Sequence, residues 1–525
     1  MSKIALICLP NAPALPSWPW EMRVLPDHLF HAAAVVMAWV EQTDSEYVLF
    51  WDMALGQPDP EACLQILEKP GEGWHAGLQL GHAGQPTVLN HLNPTWLLHL
   101  DAPAEIASDS WKLSLRAALV RTEIIRKTGV FRADFSNLEA AGLEWGYRMQ
   151  AAGALLRHEP KLLESTPVQV LPGFSVQDSL SFVALHFPKK WYWWTVFRLL
   201  ARGTNWSQTG SAVRRTRSKK RLKITPLPRP IEPETLAFKP ENWQEKVSVL
   251  IPTLNRYPYA INSIEQLKRQ TIRPREILST DQTDPENRWE DFAGQYPEVH
   301  VFPQNEKGQC IAWNKLLDES TAPYVLFLGD DADGISPDFL ANMCRTMAHY
   351  QADMVASHVI EIGGAADPYG ERVVKLTDTF PITLIRRELV FRAGKMDMAF
   401  NKGIRADQDL AIRCRMLGAH MIFDSSLRIL HHRAPVGGLR WHQQRVLTRH
   451  ISKKSPFKIQ YPAESEYYLF RKYFSATQRR EYAYILMLSQ LFLQGSIFKK
   501  LLRAGYFLLN LPKIWARYAR LWRNA

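Results

Sequence analysis

The sequence predicts an α/β protein, and three observations carry that prediction. Apolar runs of strand length alternate with helical stretches through the second half of the chain. Parts of the same plan recur, in the same order, in the first half. Between them lies a basic, proline-rich stretch over residues 205–245, with Arg214-Arg215-Thr216-Arg217-Ser218-Lys219-Lys220-Arg221 ahead of Pro226-Leu227-Pro228-Arg229-Pro230, which reads as a linker.

Taken in order, the first apolar strand is Ile4 to Pro10, and Tyr47-Val48-Leu49-Phe50 is the second. After the linker, strands are expected at Val247–Ile251, Glu276–Thr280 and Tyr324–Leu328, and helices at Tyr259–Gln270, Cys310–Asp318 and Pro337–His349. The halves align at three places. Ile4–Pro10 matches Val247–Pro252, Tyr47–Phe50 is identical to Tyr324–Phe327 with Pro60 falling on Pro337, and Leu119, Arg121, Glu123, Gly129 and Phe135 match Leu384, Arg386, Glu388, Gly394 and Phe400. That last register also carries Arg148 and Gly153 onto Arg413 and Gly418.

Composition bounds the function. A chain of 525 residues exceeds one ordinary core and implies two to four domains. Hydrophobic residues at 46% and charged residues at 22% exclude a disordered chain. A net charge of +12 favours polyanionic partners such as sugar phosphates, anionic lipid or nucleic acid. The five cysteines have no CxxC spacing, which indicates neither a zinc site nor a disulfide framework and suits a reducing cytoplasm. The apolar start, Ile4 to Leu9, is short for a signal peptide, and no run reaches the roughly twenty apolar residues of a membrane span.

The sharpest chemical signal is Asp330-Asp331-Ala332-Asp333, one glycine behind the Tyr324–Leu328 strand. Crowded carboxylates repel, so three within four residues ask for a cation or a cationic ligand. The matching positions of the first half are Met53, Ala54 and Gly56, with Asp52 the one acid nearby. Its interval from Pro10 to Tyr47 is 37 residues, where Pro252 to Tyr324 spans 72. The first half therefore lacks both the acids and the room for a nucleotide.

Four further segments stand in order around the acids: Val249-Leu250-Ile251-Pro252-Thr253-Leu254-Asn255-Arg256, Asp281-Gln282-Thr283-Asp284, Asn305-Glu306-Lys307-Gly308 with Asn314, and Asp407-Gln408-Asp409-Leu410 with Arg413. With them, residues 245–445 resemble family 2 glycosyltransferases of the GT-A fold, the nucleotide-sugar-dependent enzymes with an Asp-x-Asp metal site. The resemblance implies an α/β fold with a mostly parallel sheet flanked by helices, here in two tandem copies with a helical C-terminal extension. The expected domains are residues 1–204, a degenerate non-catalytic copy; 205–245, the linker; 246–445, the catalytic domain; and 446–525, the extension.

By that resemblance Pro252, Thr253, Asn255 and Arg256 line the nucleotide and diphosphate, Asp281 contacts the base or ribose, and Asn305, Gly308 and Asn314 lie beneath the nucleotide. Asp331 and Asp333 hold Mg²⁺ or Mn²⁺, His432 is a further ligand, and Asp330 faces the ribose or supports the others. Asp407 is the general base of an inverting displacement. Asp409, Arg413 and Arg440 complete the substrate set, although Asp409 and Arg413, four apart on one helix, also suit a structural pair. The implied donor is a nucleoside-diphosphate sugar with a UDP or dTDP carrier, and the acceptor a hydroxyl on a glycan or lipid-linked glycan. This points to a hexosyltransferase of cell-envelope polysaccharide synthesis.

After Glu481 the chain has no acidic residue and seven basic ones, Lys499, Lys500, Arg503, Lys513, Arg517, Arg520 and Arg523, among aromatic and aliphatic side chains. That pattern suits an interfacial helix on an anionic membrane, with Trp191, Trp193 and Trp194 as a second contact. A cytoplasmic protein peripheral to the inner face of the plasma membrane is the expectation. Nucleotidyl transfer onto sugar phosphates is the rival enzyme class, but its glycine-rich basic loop is missing from Pro252–Pro258. A scaffold for anionic lipid or nucleic acid rests on charge alone, and no nucleic-acid motif supports it.

Overall fold

The computed structural model describes residues 3–9, 17–25, 29–163, 174–231, 238–289, 292–364, 366–377, 379–432, 455–457, 459, 461–492 and 496–523. The strands of the first half are β1 (Ile4–Cys8), β2 (Met22–Val24), β3 (Tyr47–Trp51), β4 (Gly73–His75), β5 (Ser108–Asp109), β6 (Ala117–Arg121) and β7 (Leu156–His158), in the sheet order β2-β1-β3-β6-β4-β7-β5. The second half supplies β8 (Val247–Thr253), β9 (Glu276–Asp281), β10 (Val299–Pro303), β11 (Tyr324–Phe327), β12 (Ala332–Asp333), β13 (Met354–Glu361), β14 (Val374–Leu376), β15 (Thr383–Arg386) and β16 (Met421–His431). Their order is β10-β9-β8-β11-β15-β13-β16-β12, with β14 paired to β16.

Both sheets are mixed rather than mostly parallel. The block β10-β9-β8-β11 is parallel throughout, whereas β15 runs antiparallel to both β11 and β13. Parallel strands buried on both faces read as continuous apolar runs, as Val247–Ile251 does. The antiparallel strands begin beyond β11, so the carboxyl ends of β8, β9 and β11 still open on one side, where such sheets bind ligands.

The two sheets follow one plan. Tyr47 pairs with Ile4 in parallel and with Arg121 in antiparallel register; Tyr324 pairs in the same senses with Val247 and Arg386. In each half that arginine lies over the tyrosine ring, at 5.4 and 5.6 Å. The pairs β4–β6, β4–β7 and β5–β7 have the polarities of β13–β15, β13–β16 and β14–β16. One detail differs from the sequence alignment: with Ile4 equivalent to Val247, Pro252 stands in the place of Leu9, and Pro10 lies outside the described residues.

The halves pack through one continuous apolar core that includes both Val48 and Val249. Their contact repeats itself across the two copies. A Cβ on Gly153 (φ +101) would stand 2.9 Å from the Val374 carbonyl oxygen, and one on the equivalent Gly418 (φ +87) would collide with the carbonyl of Ala107, the equivalent of Val374. Residue pairs exchanged in this way are the mark of a two-fold interface. Buried Asp109 anchors it, accepting hydrogen bonds from Arg157 Nη1, His420 Nδ1 and the Met421 N–H, each at 2.7 Å.

The linker expected over 205–245 begins later. Trp206–Thr216 is a helix, because Asn205 caps it by accepting from the Ser207 N–H at 2.8 Å and because Thr209, Ala212 and Thr216 are buried against neighbouring helices. Beyond the second sheet, helices Glu464–Tyr473, Ala476–Ser489, Ile497–Leu509 and Leu511–Ala519 form the extension. Among the described residues no helix is long and apolar enough to cross a membrane.

Candidate active site

β8 and β9 end side by side, with Thr253 directly opposite Asp281. After Thr253 the backbone turns through exposed Asn255 in the left-handed region (φ 56), a conformation asparagine tolerates better than most residues. Its N–H donates to Thr283 Oγ1 at 3.0 Å, which ties the β8 turn to the β9 turn. Pro252 is half-buried within β8, opposite Thr280. Buried Asp281 accepts from Tyr257 Oη at 2.6 Å and from the Thr283 N–H at 2.9 Å, with Arg288 Nε 3.9 Å away. Arg288 also donates to Asn305 Oδ1 at 3.1 Å, so Asn305 and Asp281 belong to one cluster.

The three acids behind β11 meet three environments. Thr253 Oγ1 donates to Asp330 Oδ2 at 3.0 Å, and Arg256 Nη1 stands 2.9 Å from Asp330 Oδ1 and 3.3 Å from Asp331 Oδ2. Burial pushes the Asp330 carboxyl up to about 6, Arg256 pulling it down and Asp331 pushing it further up. Burial would also raise Asp333, but hydrogen bonds from Asn262, the Gly334 N–H, His432 and Gln266 outweigh it and hold that carboxyl at about 2. Asp330 therefore takes up a proton only below about pH 6, while Asp333 stays ionised far below that, and such divergence separates roles.

Two histidines complete the cluster. β12 pairs antiparallel with β16, placing Ala332 opposite His431. His431 Nε2 stands 3.1 Å from Asp331 Oδ1 and His432 Nε2 stands 2.8 Å from Asp333 Oδ2. Sequence reasoning singled out His432 and missed His431, Tyr257, Arg288 and Gln266. The doubled histidine was the available signal, and only the β12–β16 register explains why both face acids.

The donor types suit a divalent cation: two carboxylates, each backed by an imidazole nitrogen. Among the described residues no three His, Cys, Asp or Glu side chains converge into a ready cage. A hard cation that takes one or two carboxylates and completes its shell with substrate phosphates does not need one. The Arg256 guanidinium partly neutralises Asp330 and Asp331.

Other candidates are held elsewhere. Gly308 does permit a close approach, but by the Asn401 side chain, into which a Cβ would collide; Gln282 bonds the Gly308 backbone on its other side. Asn314 exchanges hydrogen bonds with the backbone of Met396. Asp409 is fully buried and accepts from Arg413 at 2.8 Å, Lys472 at 2.8 Å and Tyr473 at 2.7 Å, while Arg413 also donates to the carbonyls of Ala393 and Lys395. The first copy repeats this arrangement with Glu144, Arg148 and the carbonyls of Thr128 and Val130. Recurrence where the acidic cluster is missing points to a structural part for Asp409 and Arg413, and Asn314 is occupied by the Met396 backbone. Arg440 lies outside the described residues.

Asp407 opens the helix Ala406–Met416 behind Arg405, whose backbone is left-handed (φ 82) and whose guanidinium reaches Glu466 Oε1 at 2.9 Å. The Asp407 carboxyl is half-buried; burial raises it above the ordinary range, against the Gln408 N–H and the Arg405 charge. In the first copy the equivalent residue is Gly142, where a Cβ would stand 3.0 Å from the Leu113 carbonyl oxygen. Residues 111–115 are buried there, so the matching cleft is filled by the chain itself.

The family model for glycosyl transferase family 2 matches residues 248–409, just under a third of the chain. This second domain is a family 2 glycosyltransferase domain. The match runs from the start of β8 through Asp407, and so takes in every element of the cluster up to the histidines. Among curated proteins none matches the chain. Solved structures similar to the chain include the mannosyltransferase PcManGT from Pyrobaculum calidifontis in complex with GDP-Man and Mn²⁺, at 17% identity over 55% of this chain and 77% of that one, TM-score 0.29. S. aureus TarS 1–349 in complex with UDP-GlcNAc is similar at 15% identity over 53% of this chain and 82% of that one, TM-score 0.36.

Proposed function

We propose that this glycosyltransferase moves a sugar, with inversion, from a nucleoside-diphosphate sugar to a hydroxyl of a glycan or lipid-linked glycan in cell-envelope polysaccharide synthesis. The observation that carries the proposal is the division of Asp330, Asp331 and Asp333 into distinct environments at the carboxyl ends of parallel strands. Asp281 accepts two hydrogen bonds and retains acceptor capacity for the N3–H of uracil or thymine. Asp331 and Asp333, with His432 and His431 behind them, are the residues that would hold Mg²⁺ or Mn²⁺. Bound there, the cation supplies charge to the departing diphosphate. Arg256 contributes a second positive charge from the β8 turn. Asp407 takes the proton from the acceptor hydroxyl, and its raised carboxyl pKa strengthens it as a base.

A panel of UDP, dTDP and GDP sugars, each with and without Mn²⁺, tests this by thermal unfolding and donor hydrolysis. One donor at a hundredfold excess over its Kd should add about 2.7 kcal/mol of stability. That gain should need the metal and vanish in Asp331→Asn. Absence of metal-dependent donor binding and of turnover across the panel would overturn the proposal.

A further inference from the structure

The helix Ile497–Leu509 is amphipathic with its apolar face turned to solvent. Ile497, Phe498, Leu501, Leu508 and Leu509 are 65–85% exposed, whereas Arg503 and Phe507 point inward. At about 100° per residue the exposed set covers one side of the helix, opposite the buried pair. Exposed Lys499 and Lys500 border it. A helix held by its core contacts alone would face the other way.

A second surface has the same character. On Lys189–Ala201, Trp193, Phe197 and Leu200 are exposed while Thr195 and Arg198 are buried, and Trp206 of the next helix is 80% exposed. The two surfaces belong to one helical layer. Arg198 reaches Glu481 at 2.8 Å and lies over the Tyr484 ring; Tyr484 packs on Trp515, which precedes the last described turn. From Ile497 onward every charged residue is basic. Two copies meeting on this face would bring like charges together, and an anionic bilayer would neutralise them.

We infer that this layer docks on an anionic lipid bilayer, with the Ile497–Leu509 helix lying in the interface and Trp193, Phe197 and Trp206 as a second anchor. The inference deepens the reading of a lipid-linked acceptor, because the same layer is bonded to the helix that carries Asp407. Lys472 and Tyr473 hold Asp409, Glu466 holds Arg405, and Tyr467 Oη donates to the Arg517 carbonyl at 2.9 Å. A bilayer on the outer side of these helices would present acceptors near that end of the catalytic domain.

Flotation of the full chain with vesicles of phosphatidylcholine alone, or mixed with phosphatidylglycerol, tests the inference. Binding is expected to the mixed vesicles, weak on the neutral ones, and reduced by salt within the Debye regime. Leu501→Glu with Leu508→Glu should lower partitioning roughly tenfold or more while circular dichroism and the thermal transition hold. Lys499→Glu with Lys500→Glu, which leaves the apolar face intact, should remove the preference for anionic vesicles. Failure of the wild-type chain to float with mixed vesicles would overturn the inference. So would equal flotation of the leucine variant, or a dimer that the leucine changes split without affecting vesicle binding. The measurement needs no donor, so a failure of glycosyl transfer and a failure of docking are told apart.

Discussion

At Asp407 the local chemistry makes a sharp demand. A carboxylate raised by burial serves as a base only when ionised, so transfer should climb with pH along an acidic limb above the ordinary aspartate value. Asp407→Asn should cut transfer by roughly 10²–10⁴-fold and abolish that limb, while donor binding in the thermal assay survives. Equal loss of binding and transfer would assign Asp407 to the fold. Glu481 makes the opposite case. Burial would raise its carboxyl, but the His91 ring 3.6 Å away and two hydrogen bonds from Arg198 hold it at about 2 against the ordinary 4.5. A depressed folded-state pKa stabilises above the unfolded value, so the contribution, on the order of 3 kcal/mol, is present at neutral pH and lost as pH falls from about 4.5 to 2. Urea unfolding of Glu481→Gln should show a loss of about that size at pH 7 and a flattened acid dependence. A variant as stable as the parent at pH 7 would count against it. The acids behind β11 were legible because a buried strand, a glycine and a run of carboxylates are contiguous. The pairing of His431 with Asp331 was not, since it depends on a strand register that joins residues about a hundred positions apart.

Among the elements, the helix Ala406–Met416 is fixed from both sides. Its first turn meets the extension through Arg405 and Glu466, and near its end Arg415 donates to the carbonyls of Leu100 at 3.2 Å and Asp109 at 2.5 Å. Asp109→Ala would leave Arg157 and His420 buried beside a lost charge, which costs about 3–5 kcal/mol. The expected result is a lower urea midpoint with donor affinity retained in the protein that remains folded; a change under about 1 kcal/mol would show that the interface is not anchored there. Periodicity located the helices of the second half well: Tyr257–Leu267, Gln309–Glu319 and Phe339–His349 fall on the stretches read from sequence. It failed at Trp206–Thr216, where basic residues and a nearby proline run looked like a linker. The local cap at Asn205 and the buried Thr209 and Thr216 decide that segment, and the burial depends on neighbouring helices. Asn314 and Arg413 were hard to assign for a related reason, because a polar residue bonded to distant backbone carbonyls has the same sequence signature as one that binds substrate.

For the molecule as a whole, the question is what two sheets of one plan do when a single one carries the acids. The first keeps the strand order, the stacked Arg121 and the Glu144–Arg148 pair, all of which serve folding. It has Met53, Ala54 and Gly56 where the second has Asp330, Asp331 and Asp333, and Gly142 where the second has Asp407. Its Asp52 is engaged by Arg116 at 2.6 Å and caps the turn that follows β3. Residues 111–115 occupy the space in front of Gly142 and Gly146, so absence of the acids and a filled cleft go together. Through the contact across Gly153 and Gly418 the first domain holds the rear of the Asp407 helix, and we propose that it does so as a built-in subunit that binds no donor. Calorimetric titration of the donor with Mn²⁺ should therefore give one site per chain. Asp331→Asn should remove that site entirely, and Asp52→Asn should leave its affinity within about twofold, since a change of that size is under 0.5 kcal/mol. Two sites per chain, or donor binding that survives Asp331→Asn and is lost in Asp52→Asn, would return a binding function to the first domain.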